Sequence, residues 1–345
     1  MPHPAAAKPP TLHDVARAAG VSLMTASRAL ANPAIVSEQT LARVHAAVAQ
    51  TGYIPNRLAG GLKSRRSFTV AGLVPVISVP QFLPTVQALT ETLDAAGYQL
   101  ILGQSGYDHA REERLVHAMV GRRPDGIVVT GLLHSPRVRE QLRRLGIPVV
   151  ETWDLSDAPL DMMVGFSHAA VGRAVAQFFR AKGWQRVAIA TGDDHRALQR
   201  RDGFLAEAGR AVPVATVPAP SNLALGRRAL AELLQQDAQV RAVCCSSDGL
   251  AQGVLVEAQA RGLRVPEDLA ICGFGDADFA AHLHPTLTTV RVDGAAIGRL
   301  AAELVLARCQ GQPIEHPVID VGFRIVERQS TGGPCAAIPA PPSSP

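Results

Sequence analysis

Cysteine is sparse in this chain of 345 residues, and its spacing is uninformative for cross-linking. Cys244, Cys245, Cys272, Cys309 and Cys335 form an odd set with no C-x-x-C pattern, which argues against a disulfide framework or a zinc site and for a reducing compartment. Cys244 and Cys245 are neighbours inside an apolar run, where they read as packing residues. Long apolar runs are missing too. None approaches the roughly 18 residues of a membrane span, and the Pro-rich start MPHPAAAKPP lacks a signal-peptide core. A cytoplasmic protein with no membrane partner is expected. There is no P-loop, no G-x-G-x-x-G after a first strand, no G-x-S-x-G elbow and, among eleven His, no H-E-x-x-H. These absences count against a kinase or dehydrogenase of sugar metabolism. No catalytic constellation, cofactor or metal is expected, and Asp193-Asp194-His195 reads as a polar loop capping a helix.

What is present is unevenly charged. Residues 1–66 carry eight Lys/Arg against Asp14 and Glu38, a net +6, leaving 26 basic and 28 acidic residues, or −2, for the rest. A basic first fifth on a near-neutral body points to a polyanionic partner for one end. The same segment contains TLHDVARAAGVSLMTASRAL. Thr11 can cap a first helix with Asp14 three positions on, Leu12, Val15, Ala16 and Ala19 form its apolar stripe, and Gly20 ends it. Ser22 caps a second helix to about Leu30, and a third runs from Ser37 to the stop at Gly52. Three short helices with a tight turn between the first two make a helix-turn-helix domain. Leu23, Met24, Thr25, Ser27 and Arg28 then lie around the start of the second helix, where base edges are met. Arg28 suits the O6 and N7 of guanine.

From Phe68 the pattern changes. The short apolar runs FTVAGLV, YQLILG, DGIVVT, IPVVET, RVAIAT, RAVCCSS and LAICGF alternate with amphipathic stretches of helical length. Such alternation predicts parallel sheets covered on both faces. The count exceeds one comfortable sheet, so we divide the body near Gly165 into two doubly wound α/β subdomains. Ligands in such sheets bind outside the carboxyl ends of the strands, so two facing halves predict a cleft. The post-strand segments supply Gln81, Phe82, Gln104, Tyr107, Thr130, Trp153, Asp154, Ser247, Asp248 and Asp276 as candidate ligand contacts, with Phe166 at the division.

The helix-turn-helix stretch, followed by VSEQTLARVHAAVAQTGYIPNRLA, resembles the lactose-repressor family of bacterial regulators. The resemblance continues through RRDGF, SSDGLAQGVLVEAQARGLRVPEDLAICGFGD and LTTV, and spans essentially residues 11–328. It implies a periplasmic-binding-protein-like body that binds a small molecule between its subdomains, and a homodimer on a pseudo-palindromic double-stranded operator. It extends the candidate DNA contacts to Thr11, Ser22, Asn32, Tyr53, Asn56, Arg57 and Ala59. It also implies a hinge in YIPNRLAGGLKS, where a short helix ordered on DNA wedges Leu62 into the minor groove; Gly60 and Gly61 weaken such a helix in isolation. RRDGF places Arg200 at the family's sugar-contacting arginine, whereas Arg196 and Arg201 fit a charged surface face better. Two departures stand out. Ser247-Asp248 replaces the usual Asn-Asp, and Gly275 stands where many members carry a ligand-binding Asp, with Asp276 one residue later.

GQSGYDHAREERL, TGLLHSP and VVETWDLSDAPLDMMVGFSH are similar to the gluconate-operon repressors within this family, which implies a sugar-acid effector, gluconate or a close relative. A different sugar, a sugar phosphate or a corepressor is the alternative. A solute-binding protein of the same architecture would lack residues 11–66. The expected organisation is a disordered start (1–10), the DNA-binding domain (11–56), the hinge (57–67), an effector and dimerisation body (68–330) and a disordered Pro/Ser-rich tail (331–345). Within the body, one subdomain takes 68–165 and 292–316, the other 166–291 and 317–330. No leucine heptads follow, so a dimer rather than a tetramer is expected.

Overall fold

The computed structural model describes residues 9–54 and 66–332. Asn56, Arg57, Ala59 and Leu62, the tail from 333 and residues 1–8 lie outside the described residues. Contacts divide the chain into two units, the first ending at Ser67 and the second starting at Phe68.

In the first unit, α1 (Leu12–Ala19), α2 (Leu23–Ala31) and α3 (Glu38–Thr51) fall where the caps and stops predict. Ser22 and Ser37 accept from the backbone N–H of Thr25 and Thr40 at 3.1 and 3.3 Å. At Thr11 a capping box forms with Asp14. The Asp14 carboxylate accepts from the Thr11 N–H at 2.9 Å, and the Thr11 hydroxyl donates to that carboxylate at 2.7 Å. Gly20 sits at φ 63°, the left-handed turn that a side chain rarely tolerates. Arg43 then reaches from α3 to donate to the Ala19 and Gly20 carbonyls at 3.1 and 3.0 Å, satisfying groups that the end of α1 leaves unpaired. Val15 and Val44 are fully buried against Ala19, Ala29 and Ala47. Each Val contributes about 1.5–3 kcal/mol by leaving water, enough to matter in a unit with so small a core.

The second unit has two six-stranded sheets. The first contains β1 (Thr69–Val74), β2 (Gln99–Gln104), β3 (Gly126–Thr130), β4 (Val149–Thr152), β5 (Met162–Gly165) and β11 (Val318–Asp320) in the order β2-β1-β3-β4-β5-β11, all parallel. Helices α4 (Leu83–Ala95), α5 (His109–Val120), α6 (Pro136–Leu145) and the late α11 (Gly294–Cys309) belong with it. The second sheet contains β6 (Val187–Gly192), β7 (Val214–Val217), β8 (Ala242–Cys245), β9 (Ala270–Phe274), β10 (Thr288–Arg291) and β12 (Arg324–Val326), ordered β7-β6-β8-β9-β10-β12. Its helices are α7 (His168–Ala181), α8 (His195–Ala208), α9 (Leu223–Gln236) and α10 (Asp248–Ala260).

Two expectations need correction. The second sheet is not wholly parallel, because β12 pairs antiparallel with β10. The last crossing also comes later than residue 317: Val318, Ile319 and Asp320 pair with Met163, Val164 and Gly165 of the first sheet, so the chain returns after Asp320. The seven apolar runs all became strands. β5, β7, β10, β11 and β12 were not among them; the last two have three residues each, too few for a period to show.

Helices α7 and α8 cross at backbone contact. A Cβ on Gly172 would stand 1.9 Å from the Arg200 carbonyl oxygen, and one on Gly203 would stand 2.1 Å from that of Ala169. This crossing fixes where Arg200 leaves its helix. Gly172→Ala is therefore expected to destabilise by about 1–3 kcal/mol or more through overpacking against rigid backbone. Gly249→Ala, where nothing lies within 4 Å, should leave the unfolding midpoint in denaturant unchanged. Equal midpoints for the two variants would remove the close crossing as a constraint.

Candidate functional site

The carboxyl ends of both sheets border a cavity of about 340 Å³. Gln81, Phe82, Tyr107, Trp153, Arg200, Ser247 and Asp248 all line it. Thr130 and Asp154 line a neighbouring chamber of about 370 Å³, which Tyr107 also borders. Gln104 and Phe166 line neither. Gln104 accepts from the Ile77 N–H at 3.5 Å. Phe166 is fully buried behind the site, its ring edge-on to Trp153 and His168; burial of so large a ring took precedence over exposure to a ligand.

Arg200 is 9% exposed. Its Nη1 donates to His168 Nδ1 at 2.8 Å and its Nη2 to the Ser246 carbonyl at 2.9 Å, while its Cζ stands 4.0 Å above the Phe274 ring. Arginine can only donate, so Nδ1 of His168 must be the acceptor and its Nε2–H donates to the Trp153 carbonyl at 2.9 Å. The imidazole is thus fixed as one neutral tautomer. Burial, reinforced by Arg200, holds its pKa well below the usual histidine range. Burial also draws Arg200 down to about 10, which leaves it charged at neutral pH. Trp153 has φ 61°, rare for a bulky residue and the kind of strain that collects at functional sites. Its indole N–H donates to Thr85 Oγ1 at 2.9 Å.

Asp248 opens α10 and is pushed up to about 6 by burial, with Asp276 adding to the rise. Its oxygens accept from the Thr289 hydroxyl at 2.5 Å and the Ala277 N–H at 2.7 Å. Asp276 is a correction. Its two oxygens are taken by Arg291 and by Arg328, the latter at 2.7 Å, and it borders a different opening. The missing family Asp has a local reason as well. Gly275 lies at φ 127°, and a Cβ there would meet Gln81 Oε1 at 3.1 Å, so Gln81 occupies the space a side chain would need.

Sequence reasoning missed His168, Ser246, Ser221, Asn222 and Phe274, and undervalued Arg196, all of which line the cavity. Arg196 stands on the first turn of α8 and reaches across to Phe82, its Cζ 5.2 Å from that ring. It lies one helical turn before Arg200, a signal the spacing carried. Among the described residues neither arginine forms an ion pair. Asp194 caps α8, accepting from the Ala197 N–H at 3.2 Å, as its loop position predicted.

In the first unit, Ser22, Leu23, Met24, Ser27, Arg28 and Asn32 are exposed, whereas Ala26 and Ala29 face the core. Leu23 and Met24 are 39% and 63% exposed at the start of α2, the helix that also presents the exposed Arg28. Thr11 is exposed, Thr25 half-buried, and Tyr53 packs against the small core.

A basic helix-turn-helix unit joined to a two-lobed α/β body defines a class, the DNA-binding transcription regulators. Residues 11–56 match the family described as bacterial regulatory proteins, lacI family, and residues 176–331 match a periplasmic binding protein-like domain. The HTH-type transcriptional regulator GntR of Pseudomonas aeruginosa is 38% identical over 328 residues, 93% of this chain and 96% of the relative. A LacI-family regulator from Silicibacter pomeroyi superposes with TM-score 0.88 at 33% identity, covering 94% of this chain and 99% of that one. The GntR structure from Chromobacterium violaceum gives 0.74 at 35% identity, covering 77% and 100%. The chain belongs to the lacI family of bacterial regulatory proteins. It is a DNA-binding transcription regulator and not an enzyme. Among the described residues no helix is long and apolar enough to cross a membrane.

The His168 geometry sets a pH dependence. Its folded pKa is depressed, so the unfolded chain binds the proton more readily and stability falls as pH drops below about 6.5. His168→Gln should lose that part of the slope, measured by denaturant unfolding between pH 7 and 5. An unchanged slope would mean that the imidazole is not held neutral.

Proposed function

We propose that the protein is a homodimeric cytoplasmic repressor released from its operator by a sugar acid, gluconate or a close relative. The observation that carries this reading is the convergence of Arg196 and Arg200, neither ion-paired among the described residues, on one cavity otherwise furnished with hydroxyl, amide and carboxylate groups. A carboxylate supplies the missing counter-charge. Ser221, Asn222, Ser247 and Asp248 suit the hydroxyls of the attached chain. The likeness of three cleft segments to gluconate-operon repressors supports the same ligand class. A single helix-turn-helix has few base contacts, which favours paired units on a pseudo-palindrome.

Arg196→Ala is expected to weaken gluconate binding by about 2–5 kcal/mol, the loss typical of a buried charge pair deprived of one partner, while leaving folding stability close to wild type. Arg200→Ala should lose both effector response and stability, and on operator DNA should remain bound when gluconate is added. Calorimetry and fluorescence anisotropy check these outcomes. Normal gluconate release by both variants would remove the two arginines from the site.

On the DNA side, Arg28→Ala should lower discrimination between operator and random duplex by about 1–3 kcal/mol, the worth of a bidentate guanine contact. Equal losses on the two DNAs in parallel titrations would reduce Arg28 to a phosphate contact.

A further inference from the structure

Tyr107, Asp194 and Arg196 line both the inner cavity and the neighbouring chamber of about 370 Å³. The two spaces therefore share a wall. Two buried polar atoms bordering the outer chamber make no hydrogen bond among the described residues: Oδ2 of Asp154, just past β4, and Nη1 of Arg196. Asp154 is 2% exposed, and its other oxygen accepts from the Leu155 N–H at 2.9 Å. The needs of the two atoms are opposite. The carboxylate oxygen lacks a donor, and the guanidinium N–H lacks an acceptor. A hydroxyl group can serve both, because it donates one hydrogen and accepts on its lone pairs.

The rest of the lining agrees. His109 and His134 meet edge-on with ring centroids 4.9 Å apart, and His134 meets His195 at 5.3 Å. His109 and His134 come from the first half of the body and His195 from the second. A neutral imidazole presents one donor and one acceptor, again the complement of hydroxyls. Burial, with His109 and His195 adding to it, lowers the pKa of His134 and favours that neutral form. Among the described residues no three His, Cys, Asp or Glu side chains converge as a metal ion requires. Asp108, Glu112, Asp193 and Asp194 also line the chamber, so a phosphate or second carboxylate would meet like charge.

We propose that the outer chamber is a second sugar subsite, and that the cleft takes a glycosylated sugar acid. The acid unit occupies the inner cavity and an uncharged, hydroxyl-rich unit lies against Asp154, Arg196 and the three imidazoles. The proposal rests on the sugar-acid reading of the inner cavity. Size supports it: the inner cavity, about 340 Å³, is near the lower end of the ~300–1,000 Å³ usual for small-molecule sites. One sugar unit suits it, and a second needs the adjoining space.

The test is calorimetry on the full-length protein with gluconate and with two glycosyl-gluconates, maltobionate and melibionate, which carry the second unit on different oxygens. At least one glycosyl-gluconate should bind ten-fold or more tighter than gluconate. Asp154→Asn should abolish that advantage, and His134→Phe, which keeps a ring but removes its nitrogens, should reduce it. If neither glycosyl-gluconate surpasses gluconate in the wild type, or if the advantage persists in both variants, the second subsite is overturned while the sugar-acid reading stands. Binding of no acid at all overturns that reading and the second subsite with it.

Discussion

A buried guanidinium resting on a neutral imidazole organises the cleft. Arg200 is removed from water with no carboxylate paired to it among the described residues, which is unfavourable unless other groups replace its hydration. The His168 ring nitrogen, the Ser246 carbonyl and the Phe274 face do so in part, while Nε is left without a hydrogen-bond partner among the described residues, and none of these groups carries a negative charge. Asp194 contributes attraction through space without an ion pair. The positive charge is therefore held in place with no carboxylate in direct contact among the described residues. The close crossing of α7 and α8 makes this possible, since only glycine at 172 and 203 lets the two backbones approach.

The same pair ties the two halves of the body together. From Arg200 the contacts pass to His168, then to the carbonyl of Trp153, whose indole reaches Thr85 and through it the Gly294 carbonyl at the start of α11. Each bond is donor to acceptor in a defined sense, so the orientation of one group constrains the next. Trp153 is held at a positive φ within this chain. A ligand touching Arg200 therefore touches a connected set of groups in both sheets rather than one isolated side chain.

The DNA-binding unit has a different design. Its core consists of small residues, and its geometry depends on capping: Ser22, Ser37, the Asp14 return bond and Arg43 on the end of α1. Small residues let the helices sit close, and the caps satisfy termini that a larger core would otherwise cover. Leu23, Met24, Ser27 and Arg28 remain exposed on α2.

Local patterns determined much of this protein. Helix starts, the Gly20 turn, seven of the strands, the two-lobed plan and the post-strand position of Gln81, Tyr107, Trp153 and Asp248 follow from caps, periodicity and the rule that ligands bind at strand ends. These signals act over a few residues and survive in a one-dimensional reading. The tertiary structure alone decided the rest. Asp276 looked like a ligand group until Arg291 and Arg328, distant in sequence, closed on it. Phe166 looked like a cleft residue until packing buried it. Arg196 looked like surface charge until the fold brought Phe82 and Asp154 from the other sheet beside it. Whether a charged side chain is paired or left open depends on which remote groups arrive next to it, and that is set by the packing of the two sheets, not by neighbours along the chain.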